Sequence, residues 1–171
     1  MTDVPDDVAD VFDARETFLP SGSGYVVETT SFEGRVTASE GEKWRTDYEV
    51  TVRAPTLQAA TADEVGPAVR DGWLETFERR LEDAPKATRV AVDLDDYTVE
   101  EDDEEVVVTY RFSLGGEREA ADVAKAFVEY VEGTYVEGIV PGYEYVPPVA
   151  DLLSNASQGD DSSATRGGTP L

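Results

Sequence analysis

Carboxylates dominate the groups with which this chain could do chemistry. Asp93-Leu94-Asp95-Asp96 and the run from Glu100 to Glu105 place oxygen ligands close enough together to collect a hard divalent cation. Neither stretch has the glycine at its sixth position that an EF-hand loop requires, so both read as solvated acidic surface. Gly22-Ser23-Gly24 is a fragment of a nucleotide-binding loop, but it leads into a β-rich segment. The dinucleotide fingerprint needs its glycines between a strand and a helix, so this one reads as a turn. Gly115-Gly116 does stand before a helical segment, where an anion could dock. Glu117 and Glu119 occupy that first turn, repel phosphate and complement the helix dipole themselves. A set of rings, Trp44, Tyr135, Tyr143 and Tyr145, joined by Trp73, could line a pocket or cap a core edge.

What is missing narrows the chemistry further. The chain has no Cys and no His. Thiol nucleophiles, disulfides, His-based triads, haem ligation through His or Cys and the usual zinc sites are therefore excluded. Carboxylate, Tyr, Lys and Ser chemistry remains, with no motif that arms any of them. No catalytic, cofactor-binding or metal-ligating residue, and no cofactor, is expected.

Charge is the strongest compositional signal. The 171 residues carry 38 Asp plus Glu against 14 Lys plus Arg, a formal net charge of −24. Six acids fall in the first twenty residues, seven between Asp63 and Asp83, and nine between Asp93 and Glu105. Only Lys43, Lys86 and Lys125 represent lysine, against eleven Arg. Charge spread over every segment destabilises a compact state unless salt screens it, and at ~1 M salt the Debye length is about 3 Å. The composition fits a salt-rich cytoplasm, with molar salt required for stability. Nucleic acid and anionic membrane surfaces are disfavoured partners, because phosphate contacts need a basic surface. No apolar run nears the ~20 residues of a bilayer span, and no secretory signal is visible, so a cytoplasmic location is expected.

One segment departs from that pattern. Between Gly24 and Pro55 six acids face four bases, Arg35, Lys43, Arg45 and Arg53, for a net of −2. This is the surface least repulsive toward another copy of the chain or an acidic partner, and it is the expected interaction surface.

The elements that must position these groups follow from periodicity. A short helix is expected from Pro5 to Glu16, with Asp3 as its cap, ended by Leu19-Pro20 and the glycines after it. Tyr25–Thr30 and Phe32–Ser39 are β-rich with a parity change between them, giving two strands or one bulged strand. Trp44, Tyr48, Val50, Val52 and Ala54 share one face of the next strand, which Pro55 ends. Val65, Val69, Trp73, Phe77 and Leu81 recur every four residues and mark a helix, capped by Thr61 or Asp63 and stopped by Pro85. A strand is expected over Thr88–Glu100, then a turn at Glu101–Glu104. Val106, Val108, Tyr110, Phe112 and Leu114 form the clearest strand face. A second long helix starts at Glu117, burying Ala120, Ala124, Phe127, Val128, Val131 and Tyr135. A short helix through Val149, Leu152 and Leu153 closes the domain, taken as residues 1–153; the Ser/Gly/Asp/Thr-rich tail 154–171 is disordered by composition.

Val4-Pro5-Asp6-Asp7-Val8-Ala9-Asp10 and Gly133-Thr134-Tyr135-Val136-Glu137-Gly138-Ile139-Val140-Pro141-Gly142-Tyr143 resemble a family of small, acidic, uncharacterised proteins of halophilic archaea. The resemblance covers residues 1 to about 153, implies lineage and compartment, and transfers no site residue. The element order is also loosely similar to the type III secretion chaperone-like fold. The expected architecture is α+β: a mainly antiparallel sheet of four or five strands with two long helices on one face, plus short terminal helices. The expected function is a non-enzymatic interaction or chaperone-like module, homodimeric or bound to another protein. The alternatives are a small-ligand domain using the Tyr-rich 135–145 segment, and a carboxylate- or Tyr-based enzyme.

Overall fold

The computed structural model describes residues 3–156. Helix α1 (Asp6–Asp13) leads into strands β1 (Phe18–Ser21), β2 (Gly24–Val27), β3 (Glu33–Glu40) and β4 (Thr46–Pro55). A helical turn, α2 (Leu57–Ala60), and helix α3 (Pro67–Leu81) follow, then a 3-10 turn at Ala84–Ala87. Strands β5 (Asp96–Glu101) and β6 (Glu105–Leu114), helix α4 (Glu117–Glu137) and a helix over 149–156, α5, complete the chain. All neighbouring strands run antiparallel, in the order β1-β2-β3-β4-β6-β5. The α+β class stands, with six strands in place of the four or five expected.

Alternation decides the two faces of that sheet. In β4 and β6, Tyr48, Val50, Val52, Ala54, Val106, Val108, Tyr110 and Phe112 are all buried on one side. Helix α4 lies against this inner face: its buried stripe runs from Ala120 through Phe127 and Val128 to Tyr135. The Phe127 ring packs 4.9 Å from Tyr110 and 5.5 Å from Phe112, centroid to centroid. Gly34 in β3 has no side chain to keep the helix away; a Cβ there would lie 2.4 Å from Val128 Cγ1. At the other end Phe12 of α1 packs on Phe18, Tyr25 and Tyr48. The Tyr110 hydroxyl donates to the Leu81 carbonyl at 2.7 Å, and that of Tyr97 to the Glu78 carbonyl at 2.7 Å. These two bonds pin the end of α3 above the β5–β6 edge. Every long helix thus covers the inner face.

Several expectations need correction. Leu19-Pro20, read as a helix break, belongs to edge strand β1, which pairs with β2 across the two-residue loop Gly22-Ser23. Proline is tolerated on an edge, and Gly22 takes the positive φ (59°) that the tight loop demands. The parity change near residue 30 marks two separate strands. Thr88 to Asp95 is not strand: there the chain travels from the helix layer to the sheet edge, with Val90, Val92 and Leu94 partly buried against the core. Pairing starts at Asp96, which is why Tyr97 and Val99 break the earlier parity. Val69 is 39% exposed, so the α3 stripe narrows to Trp73, Phe77 and Leu81. Thr61 and Asp63 do not cap α3, which begins behind Gly66 with Pro67 in its first turn. The side-chain cap is instead Thr56, for the unforeseen α2. Asp3 likewise does not cap α1, whose N-cap is Pro5. Residues 154–156 continue α5, and the rest of the expected tail lies outside the described residues.

Candidate functional site

With the helices gathered on the inner face, the outer face of the sheet carries the residues of opposite parity. Register sets them in rows across the strands. The central row runs Leu19, Val26, Arg35, Thr51, Thr109 and Thr98, one residue from each strand. Arg35 is its only charged member, and its guanidinium is turned aside: Nη2 donates to the Ser21 carbonyl at 2.7 Å and Nη1 to Ser21 Oγ at 3.4 Å. Leu19 is 52% exposed. A stripe with one charged member, Arg35, therefore crosses all six strands of a chain with net charge −24.

Charged rows flank the stripe. On one side stand Thr37, Glu49, Arg111 and Asp96, each paired in register with the next. Arg111 Nε donates to Glu49 at 2.9 Å and Nη1 to Asp96 at 2.6 Å. The hydrogen bond and charge of Glu49, then those of Asp96, hold the guanidinium pKa above its usual value. On the other side Glu33, Arg53, Val107 and Glu100 align, with Arg53 3.7 Å from Glu105. Beyond the first charged row, Ser113 Oγ approaches Asp47 at 2.5 Å and Asp95 at 3.0 Å. A hydroxyl has one proton, so it serves one of these carboxylates at a time. A groove of about 680 Å³ opens here, lined by Thr37, Ser39, Asp47, Glu49, Asp95 and Arg111 among others. Among the described residues no group of three or more carboxylates converges in a way that could hold a metal ion. The acids that sequence reading singled out are engaged otherwise: Asp95 and Asp96 meet Ser113 and Arg111, and Asp102 accepts from the backbone N–H groups of Glu104 and Glu105, both at 2.8 Å.

The four bases of the low-charge segment separate into two places. Arg35 and Arg53 lie on the outer face. Lys43 and Arg45 sit in the β3–β4 turn, Lys43 with a positive φ of 58° and Arg45 donating to the Ser113 carbonyl at 2.5 Å. Of the rings Trp44, Tyr135, Tyr143 and Tyr145, Trp44 stands apart, while Tyr145 lies near enough to both Tyr135 and Tyr143 to interact electrostatically. Trp44 is 75% exposed on that same turn, against Gly115, where a Cβ would lie 1.8 Å from its ring. Tyr135 is fully buried at the far end of α4, edge-on to Phe32, Trp73 and Phe77, its hydroxyl donating to the Pro55 carbonyl at 3.0 Å. Tyr145 pairs with Thr61 in an isolated bridge and donates its hydroxyl to the Val140 carbonyl. Tyr143 is half-buried against the core.

Burial moves the tyrosines away from acid–base work. It pushes Tyr48 up to about 12, helped by the charge of Glu117, and also raises Tyr97, Tyr110, Tyr135 and Tyr145. A phenol raised in this way holds its proton more firmly and is a poorer base at neutral pH. The outer row escaped sequence reading because Thr51 and Thr109 become neighbours only through the β4–β6 register. The one available signal was the low charge between Gly24 and Pro55.

This geometry defines an α+β protein with one helix-covered sheet face and one open, mixed-charge face. The chain belongs to the family of unknown function DUF5813, whose match spans residues 9–155. No curated protein and no solved structure matches it significantly. No helix among the described residues is long and apolar enough to cross a membrane.

Proposed function

We propose that the chain is a non-enzymatic protein-interaction module, adapted to a salt-rich cytoplasm, that meets a protein partner through the outer face of its sheet. The carrying observation is the row Leu19, Val26, Arg35, Thr51, Thr109 and Thr98 crossing an otherwise acidic molecule, with Arg35 its one charge and that charge bonded to Ser21. Interface centres are depleted in charged residues relative to the remaining surface, and this row has that composition. The flanking Arg53 and Arg111 add the polar rim that orients a partner. The raised pKa values of Tyr48, Tyr97, Tyr110, Tyr135 and Tyr145 disfavour a phenolate base at those positions.

The test is capture of partners from a native high-salt lysate by the wild-type chain and by two variants. Thr109→Arg places a long cation in the central row; Thr76→Arg places one on the exposed side of α3. Loss of capture with the first and retention with the second is expected. Equal capture by all three would move the interaction surface elsewhere.

A further inference from the structure

We infer that the occupant of the outer face is a second copy of this chain, stacked sheet on sheet about a two-fold axis parallel to the strands between β3 and β4; this rests on the proposed use of that face. The axis position follows from strand order. It lies midway across the six strands, so rotation exchanges β3 with β4, β2 with β6 and β1 with β5. Rows are preserved by this operation, and their contents complement themselves. In the central row Leu19 meets the partner's Thr98, Val26 meets the partner's Thr109, and Arg35 meets the partner's Thr51. Apolar side chains thus cover threonine methyl groups, and Arg35 arrives with its guanidinium already bonded to Ser21.

The flanking rows carry the charge complementarity. Glu33 faces the partner's Arg53, and the symmetry repeats that pair on the other side of the axis. Glu49 faces the partner's Thr37, and Asp47 the partner's Ser39. No like charges oppose one another in these pairs. The neighbouring choice, an axis between β4 and β6, would set Glu33 against the partner's Glu100 and leave Leu19 and Val26 uncovered. Area is adequate as well. Six strands of 4–10 residues, rising ~3.3 Å per residue and spaced ~4.8 Å apart, present roughly 600–700 Å², at the lower end of the ~600–1,000 Å² per partner of a standard interface.

The absence of cysteine makes a direct geometric test available, because any introduced thiol is unique. Sheets stacked ~10 Å apart put the two Thr51 Cα atoms roughly 11 Å apart and the two Thr98 Cα atoms roughly 26 Å apart. A short bis-maleimide added to the purified full chain in molar KCl should cross-link Thr51→Cys into dimers and leave Thr98→Cys largely monomeric. Sedimentation equilibrium should show a dimer for the wild type and for Thr76→Arg, and a monomer for Thr109→Arg with unchanged circular dichroism. A monomeric wild type would overturn the inference. So would a dimer that persists in Thr109→Arg, or cross-linking at Thr98 equal to that at Thr51. A monomeric wild type whose lysate capture is still abolished by Thr109→Arg would leave the interaction surface standing with a different occupant, so the two readings fail separately.

Discussion

Replacing Gly34 by alanine tests how the helix layer is seated on the sheet. The new Cβ would lie 2.4 Å from Val128 Cγ1 and 2.8 Å from Cγ2. Carbon atoms rest at ~3.5–4.0 Å, so α4 must retreat by about 1 Å or Val128 must leave its rotamer. Overpacking of this kind costs about 1–3 kcal/mol. At ~2–4 °C per kcal/mol for a domain of this size, the melting temperature should fall by roughly 2–12 °C. Val128→Ala alone removes two methyl groups at ~0.8 kcal/mol each plus a cavity term, near 2 kcal/mol in all. In the double variant the added methyl enters the space Val128 vacates. Relief is incomplete, because Val128 Cβ itself would sit 3.2 Å away. The double variant should therefore be less destabilised than the sum of the singles by about 1–2 kcal/mol, as expected for residues in contact. Urea denaturation at constant molar KCl measures the cycle. Effects that add to within ~0.5 kcal/mol would refute the claim that Gly34 is the seat of α4.

Three further outcomes are expected. Tyr110→Phe leaves the Leu81 carbonyl without its 2.7 Å donor and should cost about 1–3 kcal/mol in urea melts; a change near zero would contradict a role for that bond in pinning α3. At alkaline pH, phenols of the unfolded chain ionise near pH 10 while buried Tyr48, at about 12, and the raised Tyr97, Tyr110 and Tyr135 hold their protons. That stability is complete below about pH 10 and lost as pH rises through the folded values, so tyrosinate absorbance should appear together with unfolding; gradual ionisation of a folded protein would contradict it. Lowering KCl from molar to tens of millimolar lengthens the Debye length from about 3 Å toward 30 Å. The melting temperature should then drop steeply and recover in part near pH 4, and a flat series would remove the salt-adapted reading.

The inner face was legible in the sequence and the outer face was not. Val106, Val108, Tyr110, Phe112 and the α4 stripe announce themselves because each is local: an alternation or a helical repeat within one segment. β1 was missed because Pro20 reads as a breaker wherever its edge position is unknown. The strand expected from Thr88 was too early because valines that pack against a core in an irregular segment alternate just as strand residues do. The candidate surface lay deeper still. Arg35 and Arg53 were visible as bases in a low-charge stretch, yet their row partners Thr98, Thr109 and Val107 come from β5 and β6, and only register brings them alongside. Trp44 and Tyr135 are both aromatic, and residue type alone does not separate a ring exposed on a turn from one buried under α4.

The central claim, that the outer face is covered when the protein is at work, is tested most directly by thiol accessibility. Thr109→Cys and Thr76→Cys each supply the single thiol of an otherwise Cys-free chain, one on the outer face and one on α3. Maleimide labelling rates would be compared in native high-salt lysate and in highly dilute purified protein at the same salt. Strong protection of the Thr109 position is expected in the lysate, lost on dilution, with the Thr76 position reacting at the same rate in both. Equal labelling of the Thr109 position under the two conditions would contradict it.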